Sequence, residues 1–167
     1  MMFYRLNSSL AGSNVNTAQS VFGVGVTLAA STVYAFDANY LFQKSAGTSS
    51  YIFNVLFGGT ATANNILYQA CWNTENAAPT SDWISGAGTI FVTTLGSQPL
   101  GTSRTSAAIT FQLMIRGTVS INAGGTFIPQ YQLSAAPGGA YSTVAGSYFA
   151  IWPIGTSGAN TSVGPWA

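Results

Sequence analysis

Charged side chains are scarce in this sequence. Lys, Arg, Asp and Glu make up 4% of its 167 residues, whereas a typical globular domain contains about 25%. Four basic residues do not provide the clustered positive charge that binding to nucleic acid requires. The net charge of +1 also leaves little electrostatic repulsion between copies of the chain. We therefore expect a protein that does not bind nucleic acid and that associates with itself or with a larger assembly.

Histidine is absent, and cysteine occurs only once. Without histidine, Ser-His-Asp and Cys-His catalysis are excluded, and a single cysteine excludes an intrachain disulfide. The three carboxylates are Asp37, Glu75 and Asp82. Glu75 and Asp82 share one loop, where a solvated pair is a simpler interpretation than the catalytic pair of a glycosidase. Three acids and one thiol also match no known zinc or calcium spacing. The inventory predicts a protein without enzymatic activity, cofactor or metal.

Long hydrophobic runs are missing as well. No apolar stretch approaches the roughly 20 residues of a transmembrane helix. The opening residues, MMFYRLNSSLAGS, lack the basic leader and apolar core of a signal peptide. Disorder does not fit either, because aromatic residues make up 13% of the chain and disordered chains are poor in them. These absences predict a folded protein without a membrane span.

Apolar and polar residues alternate along most of the chain, which is the pattern of half-buried β-strands. The clearest example runs from Ile109 to Asn122, and Gly117 marks a point where this strand could bend or break. Met114 is the one apolar residue in the polar set. The residues predicted to face the core are Ile109, Phe111, Leu113, Ile115, Val119 and Ile121.

Eight further segments complete a set of about nine predicted strands. Both faces of the segment from Tyr51 to Phe57 are largely apolar, which indicates a core on one side and favours a subunit interface on the other. Pro129 has no backbone donor, so its strand should lie at a sheet edge or carry a bulge. The eight segments are Phe3–Leu10, Val21–Leu28, Val33–Phe42, Tyr51–Phe57, Ile66–Cys71, Ile90–Thr94, Phe127–Ser134 and Tyr148–Ile154.

Turn sequences separate these segments at short intervals. Diglycine at 124–125 and Pro-Gly-Gly at 137–139 supply the backbone angles of tight turns. Many short strands with frequent turns predict an all-β fold, an antiparallel β-sandwich or jelly roll in a single domain. We expect an N-terminal strand or arm at residues 1–20, a jelly-roll core at 21–155 and a C-terminal arm at 156–167. Each arm either lies across a neighbouring subunit or is a frayed end.

A polar loop between two tryptophans is the best candidate for a binding site. Trp72 and Trp83 flank this loop, which also carries Asn73, Asn76 and Asp82. Flat aromatic rings beside amide groups can stack on a sugar and bond its hydroxyls, so the loop could bind a glycan. The simpler alternative is that both tryptophans cover the edge of the core or contact another subunit.

Three single residues also have predicted roles. Trp166 lies next to the C-terminus, where an aromatic residue is either loose or inserted into a neighbour. We predict insertion, and therefore an inter-subunit contact. Cys71 is expected to be a small apolar filler in a strand rather than a reactive thiol. Asp37 either faces solvent or pairs with Arg116 or Lys44.

Five short motifs follow one another in a defined order along the second half of the chain. They are Gly117-Thr118-Val119, Gly124-Gly125, Pro129-Gln130-Tyr131, Pro137-Gly138-Gly139, and Tyr148 with Phe149. In this order they resemble a structural domain encoded by tailed bacteriophages, and the resemblance covers nearly the whole chain. That group is similar in plan to the jelly roll of tumour necrosis factor and of the complement collagen-tail heads, which form threefold trimers.

The resemblance implies a homotrimer on the surface of a virion, made in the host cytoplasm and contacting other capsid or tail proteins. One role is a capsid decoration that stabilises the particle by covering junctions between its subunits, and we favour this role. The alternative is a knob on a tail fibre or spike that binds a host-surface glycan. A more distant alternative is a sugar-binding lectin unrelated to phage. The length suits a compact decoration or a knob better than a complete fibre.

Overall fold

The computed structural model describes residues 1–75 and 87–158, and within these ranges the chain forms β-strands and no helix. No helix in the described part is therefore long and apolar enough to cross a membrane. The strands form two antiparallel sheets that pack face to face. This confirms the predicted all-β sandwich, as expected for a chain whose apolar residues recur at every second position.

The described residues contain thirteen strands, four of which are only two residues long. The longer strands are β1 (Met2–Arg5), β4 (Val26–Leu28), β5 (Thr32–Lys44), β6 (Phe53–Gly58), β7 (Thr62–Glu75), β8 (Gly88–Val92), β10 (Ile109–Ala123), β11 (Gly125–Leu133) and β13 (Tyr148–Thr156). The short strands are β2 (Leu10–Ala11), β3 (Gln19–Ser20), β9 (Gln98–Pro99) and β12 (Ser142–Thr143). Each longer strand overlaps one predicted segment. Two predicted segments are longer than the strands they contain: Phe3–Leu10 is split between β1 and β2, and Val21–Leu28 is a strand only in β4.

The order of strands in the two sheets is that of a jelly roll. The large sheet has the order β1-β13-β5-β10-β7-β8, and β12 joins it through β5 while β2 pairs with β12. The small sheet has the order β3-β11-β6-β9, with β4 also paired to β11. The set β1-β13-β5-β10 packed on β3-β11-β6-β9 is an eight-stranded double sheet of the jelly-roll kind. The hairpin β7–β8 extends the large sheet beyond β10.

Strand β10 confirms the predicted alternation and shows why glycine lies in its middle. Its predicted inward residues are buried, and Met114 is exposed on the other face. The strand does not break at Gly117. A Cβ atom there would lie 2.3 Å from the carbonyl oxygen of Leu67 and 2.5 Å from Cβ of Tyr68, so glycine allows β7 to approach. The ladder is irregular further along, between Ser120 and Ala123.

The strand with Pro129 was predicted to lie at a sheet edge or to carry a bulge. The edge position is wrong, and the ladder of this strand with β6 runs through Pro129 without a bulge. Strand β11 lies inside the small sheet, paired with β6 on one side and with β3 and β4 on the other. Pro129 lies opposite the gap between the end of β3 at Ser20 and the start of β4 at Val26. The N–H of Val21 donates to the carbonyl oxygen of Pro129 at 2.9 Å. The nitrogen of Pro129 points to the same side as its carbonyl oxygen, toward this gap. The N–H donor that proline lacks therefore interrupts no continuous ladder of backbone hydrogen bonds.

Aromatic rings form most of the contact between the sheets. The ring of Phe53, in the small sheet, lies 4.6 Å from that of Phe111 and 5.0 Å from that of Phe42, both in the large sheet. A second cluster joins Phe57 to Phe36 across the sheets at 5.4 Å. The core is therefore held by ring packing, which needs no charged residues.

Buried tyrosine hydroxyls divide into two kinds. Those of Tyr51 and Tyr141 are hydrogen-bonded to each other. Those of Tyr40 and Tyr68 are buried without a hydrogen-bond partner in the described residues. An unpaired hydroxyl in a dry core costs stability, whereas a paired one costs little until its partner is removed.

Removing a hydroxyl is therefore expected to have opposite effects at the two kinds of site. Tyr68→Phe should raise the free energy of unfolding by about 1 kcal/mol, because it removes an unpaired buried group. Tyr51→Phe should lower it by about 1 to 3 kcal/mol, because it leaves the hydroxyl of Tyr141 unpaired. Urea unfolding of the two variants measures the difference. Changes of the same sign would contradict this assignment.

Lys44 is buried without a carboxylate partner among the side chains that the structure describes. Lys44 is 2% exposed, and its Nζ atom donates to the carbonyl oxygen of Gly47 at 2.8 Å. The same Nζ atom lies 4.8 Å from the ring centre of Tyr51. Burial lowers the pKa of Lys44. The Nζ atom of Lys44 is thus already hydrogen-bonded at the end of the sandwich. Asp37, for which Arg116 and Lys44 were the predicted partners, pairs with Arg116.

Candidate functional site

The structure describes only part of the predicted glycan site. Trp72 is 6% exposed and lies near the end of β7, where its ring packs so closely on Gly88 that a Cβ atom there would lie 2.3 Å from the ring. Asn73 is exposed. Asn76, Asp82 and Trp83 lie outside the described residues, and so does Trp166. Of the residues predicted for the glycan site, the structure therefore describes only Trp72 and Asn73. Trp72 is buried in the core, and Asn73 is exposed to solvent.

The solvent-facing side of the large sheet carries an apolar surface that sequence reasoning did not single out as a site. We call this side the outer face, defined by Asp37, Asn39, Leu67, Gln69, Phe91, Gln112, Met114, Arg116 and Tyr148. Within it Phe91 is 75% exposed, Leu67 55% and Met114 44%. Large apolar side chains that share one exposed sheet face are typical of a surface that contacts another molecule.

Strand register brings these three side chains to one region. Gln69 of β7 is paired with Phe91 of β8 on one side and with Arg116 of β10 on the other. Leu67 lies two residues before Gln69 on the same strand, and Met114 two residues before Arg116. Residues two apart on a strand point to the same face. Phe91, Leu67 and Met114 therefore surround Gln69 and Arg116.

Hydrogen bonds organise the polar part of the outer face. Arg116 Nε donates to Asp37 Oδ2 at 3.0 Å, and the hydroxyl of Tyr148 donates to Asp37 Oδ1 at 2.8 Å. Beside them, Gln112 Nε2 donates to Asn39 Oδ1 at 3.0 Å. The hydrogen bond to Asp37, with burial as a smaller cause, raises the pKa of Tyr148. Because the amide and phenol groups bind one another or Asp37, covering them with another surface costs little, whereas covering Arg116 costs desolvation of its guanidinium.

The ion pair in this network contributes little energy of its own. The side chain of Arg116 is 83% exposed, and that of Asp37 is 26% exposed. Exposed pairs of this kind contribute roughly 0 to 1 kcal/mol and weaken with salt. The pair therefore orients Arg116 across the sheet more than it stabilises the fold.

A shallow depression of about 260 Å³ lies in the middle of the outer face. Asp37, Gln69, Cys71, Met114 and Arg116 are among its lining residues. The thiol of Cys71 accepts a hydrogen bond from the Thr89 hydroxyl at 3.3 Å. No group of three or more His, Cys, Asp or Glu side chains in the described ranges could hold a metal ion. The depression offers apolar and polar contacts together with one ion pair, a mixture that suits a polypeptide surface.

One sequence signal for the outer face was present. Met114 was already the apolar exception in the polar set of its strand. Leu67 and Phe91 are likewise out of phase with the buried residues of β7 and β8. Each is unremarkable alone, since single exposed apolar residues are common. Only the pairing of β7 with β8 and β10 shows that they share one region.

Comparison with known proteins does not identify a family. No protein-family model matches the chain, and no curated protein matches it. A solved structure of infectious bursal disease virus, Gx strain, is 10% identical over 92% of this chain, with a TM-score of 0.20. This chain spans 41% of that chain. At this TM-score the two backbones do not superpose closely, so the likeness does not indicate what this chain does.

Proposed function

We propose that this chain is a non-enzymatic structural protein of a virus particle. In this proposal it forms a homotrimer on the surface of a bacteriophage virion and decorates the capsid. The observation that carries the proposal is the outer face, where Leu67, Phe91 and Met114 are exposed around a network of hydrogen-bonded, mostly neutral groups. A surface with this composition is stable when it is covered.

Magnitudes favour apolar burial as the driving force of association. Full burial of one large apolar side chain contributes roughly 2 kcal/mol, so covering the exposed parts of these three contributes about 3 to 4 kcal/mol per subunit. The Asp37–Arg116 ion pair is already formed within each subunit, so it does not drive association. Association should therefore change little between low and high salt, because salt weakens ionic contacts and leaves apolar burial intact.

Self-association through the outer face is testable with charge substitutions. The double variant Leu67→Lys/Phe91→Lys is expected to raise the dissociation constant at least about 100-fold, since it loses the apolar contribution and adds like charges. Sedimentation over a dilution series measures this constant for the wild-type trimer and the variant. The control, Ser8→Lys/Thr27→Lys, adds the same charge at exposed residues away from the outer face and should remain trimeric.

Two results would contradict self-association through this face. A wild-type chain that stays folded and monomeric at every concentration would overturn the proposal that it assembles. Unchanged association of the double variant would show that the interface lies elsewhere on the molecule. Persistence of the wild-type trimer in concentrated salt is the expected accompanying result.

The place on the particle is tested by copy number. Hundreds of copies per purified virion would support the capsid decoration. A small multiple of three would support the alternative, a knob on a tail fibre or spike that binds a host-surface glycan. Deletion separates the same roles, because loss of a decoration should weaken the particle, whereas loss of a knob should abolish adsorption and leave the particle intact.

A further inference from the structure

A second apolar surface lies at the opposite edge of the large sheet, where β1 has a strand partner on one side only among the described residues. It is a groove between β1 and the residues that leave the small sheet opposite Pro129. Exposed side chains form its rim: Val24 is 46% exposed and Tyr4 44%. Buried residues, among them Phe22, Phe149 and Ile151, form its floor.

The size and chemistry of the groove restrict what it can hold. Its volume is about 190 Å³, and none of its lining residues carries a charge. Pockets for drug-sized ligands are larger, at about 300 to 1,000 Å³. The groove is therefore suited to one large apolar side chain. An aromatic side chain would gain most there, because Tyr4 and Phe22 offer ring edges and faces.

The chain itself contains a suitable side chain beyond the last described residue. Trp166 is the eighth residue after Gly158, and residues 159–167 contain no charged side chain. The tryptophan can therefore enter the uncharged groove without an ionised side chain beside it having to be desolvated. Pro165 precedes the tryptophan and restricts the local backbone, which lowers the entropy lost when the segment is bound.

The length of the C-terminal segment decides whether it can fill the groove of its own chain or only that of another copy. Strand β13 runs from the groove at Ile151 to Thr156, and the N–H of Ser157 donates to the carbonyl oxygen of Ser31 at 2.9 Å. At about 3.3 Å per residue, Gly158 then lies roughly 23 Å from Ile151. A flexible segment of eight residues spans about 16 Å on average and at most about 28 Å when straight.

The segment must also reverse direction to return along its own strand, and a turn uses several of its residues. The remaining length reaches the groove of the same chain only when it is almost fully straight. A neighbouring subunit in an oligomer can present its groove near the exit at Gly158 without such a reversal. Length and direction therefore favour the groove of another copy.

We propose that the groove beside β1 binds Trp166 from the C-terminal segment of another copy of this chain. The inference rests on the proposed self-assembly and adds a second contact to it, on the side of the sandwich away from Leu67 and Phe91. Trp166 was predicted to make an inter-subunit contact, and the groove is the site where it would do so. A side chain docked this way links subunits through apolar contact alone.

Photo-crosslinking of the full chain tests this contact. Trp166→p-benzoylphenylalanine places a photoreactive aromatic group at the docking position, and equal amounts of ¹⁴N-labelled and ¹⁵N-labelled chains are mixed and allowed to exchange subunits. After irradiation, mass spectrometry is expected to find mixed-isotope crosslinks that join the C-terminal peptide to Met2–Tyr4 or Val24–Val26. Crosslinks confined to one isotope would assign the segment to its own groove and overturn the proposal.

Matched variants show whether the groove itself is responsible. Val24→Glu puts a charge on the rim and should reduce the crosslink yield at least tenfold. Thr27→Glu adds the same charge on β4 at an exposed residue outside the groove lining, and the yield should not change. If the chain is trimeric by sedimentation and no crosslink reaches the groove, this inference fails while the proposed function stands. If the chain never associates, the proposed function fails as well.

Discussion

The protein is expected to unfold as the pH rises above 10, while acid leaves it folded. Burial raises the pKa of five tyrosines above the ordinary value near 10, and it raises that of Tyr131 to about 12. The other four are Tyr40, Tyr51, Tyr68 and Tyr141. In the unfolded chain each of the five can lose its proton near pH 10. The folded chain keeps these protons, so it becomes less favoured as the pH rises.

The sign and size of this effect follow from proton linkage. Below pH 10 the five tyrosines are protonated in both states, and the stability that they contribute is fully present. Above pH 10 the unfolded state binds fewer protons, and each tyrosine lowers stability by about 1.4 kcal/mol per pH unit. If all five stay protonated in the folded chain and are ionised in the unfolded chain, the loss reaches at most about 7 kcal/mol per pH unit. A typical stability of 5 to 15 kcal/mol is then lost within about one to two units above pH 10.

Other titrating groups oppose this trend weakly. The lowered pKa of Lys44 makes the folded state more favoured as the pH rises toward about 10.4, but this is one group against five. On the acid side the whole chain has three carboxylates and no histidine. Acid denaturation acts mainly through such groups, so stability should be nearly constant between about pH 4 and 9.

Equilibrium unfolding in urea at a series of pH values measures the profile, and phenolate absorbance followed in parallel reports the tyrosines. Ionisation of the phenols should coincide with loss of the strand signal in circular dichroism. Tyr68→Phe removes one of the five groups, so the fall in stability above pH 10 should become about one fifth less steep. Phenols that ionise near pH 10 in a chain that stays folded would contradict their burial.

Truncation of Phe53 is expected to cause a large loss of stability. Its side chain has no exposed surface, and its ring contacts four others. These belong to Phe42 and Phe111 in the large sheet, Tyr131 in the small sheet, and Tyr141 in the loop before β12. Phe53→Ala therefore opens a cavity between the two sheets.

The expected cost is about 3 to 5 kcal/mol, from lost transfer energy and an unfilled cavity. This is comparable to the whole stability of many domains, so much of the variant should be unfolded at room temperature. Phe53→Leu is the matched control and should lose only about 1 to 2 kcal/mol, because it keeps most of the volume. Urea unfolding compares the two variants. A loss below about 1 kcal/mol for Phe53→Ala would show that the sheets are not held together at this ring.

Long strands with strict alternation were predictable in detail. The inward residues of β10 and of the segment from Tyr34 to Phe42 were identified correctly, because a strand places successive side chains on opposite faces whatever its partners are. The segment from Val21 to Leu28 was predicted as one strand and contains only β4. Here Gly23 adopts a positive φ of 72° and the chain leaves the sheet, which a hydrophobic pattern alone does not reveal.

The sites were less predictable than the fold, because each depends on contacts between distant parts of the chain. Asp37 had two candidate partners by sequence, and it bonds Arg116, 79 residues away, because β5 and β10 pair in that register. Trp72 had two interpretations by sequence, a residue that flanks a binding loop or one that covers the edge of the core, and its ring is buried against Gly88 of the next strand.

By itself the sequence determined an all-β sandwich, the inward faces of its long strands and a surface almost without charge, because alternation and composition are local properties. Only the tertiary structure decided which strands are neighbours. Pairing of β7 with β8 and β10 gathers Leu67, Phe91 and Met114 on one face, and the gap opposite Pro129 opens the groove beside β1. Both surfaces depend on long-range register, which is set by the packing of the whole core and not by any short segment.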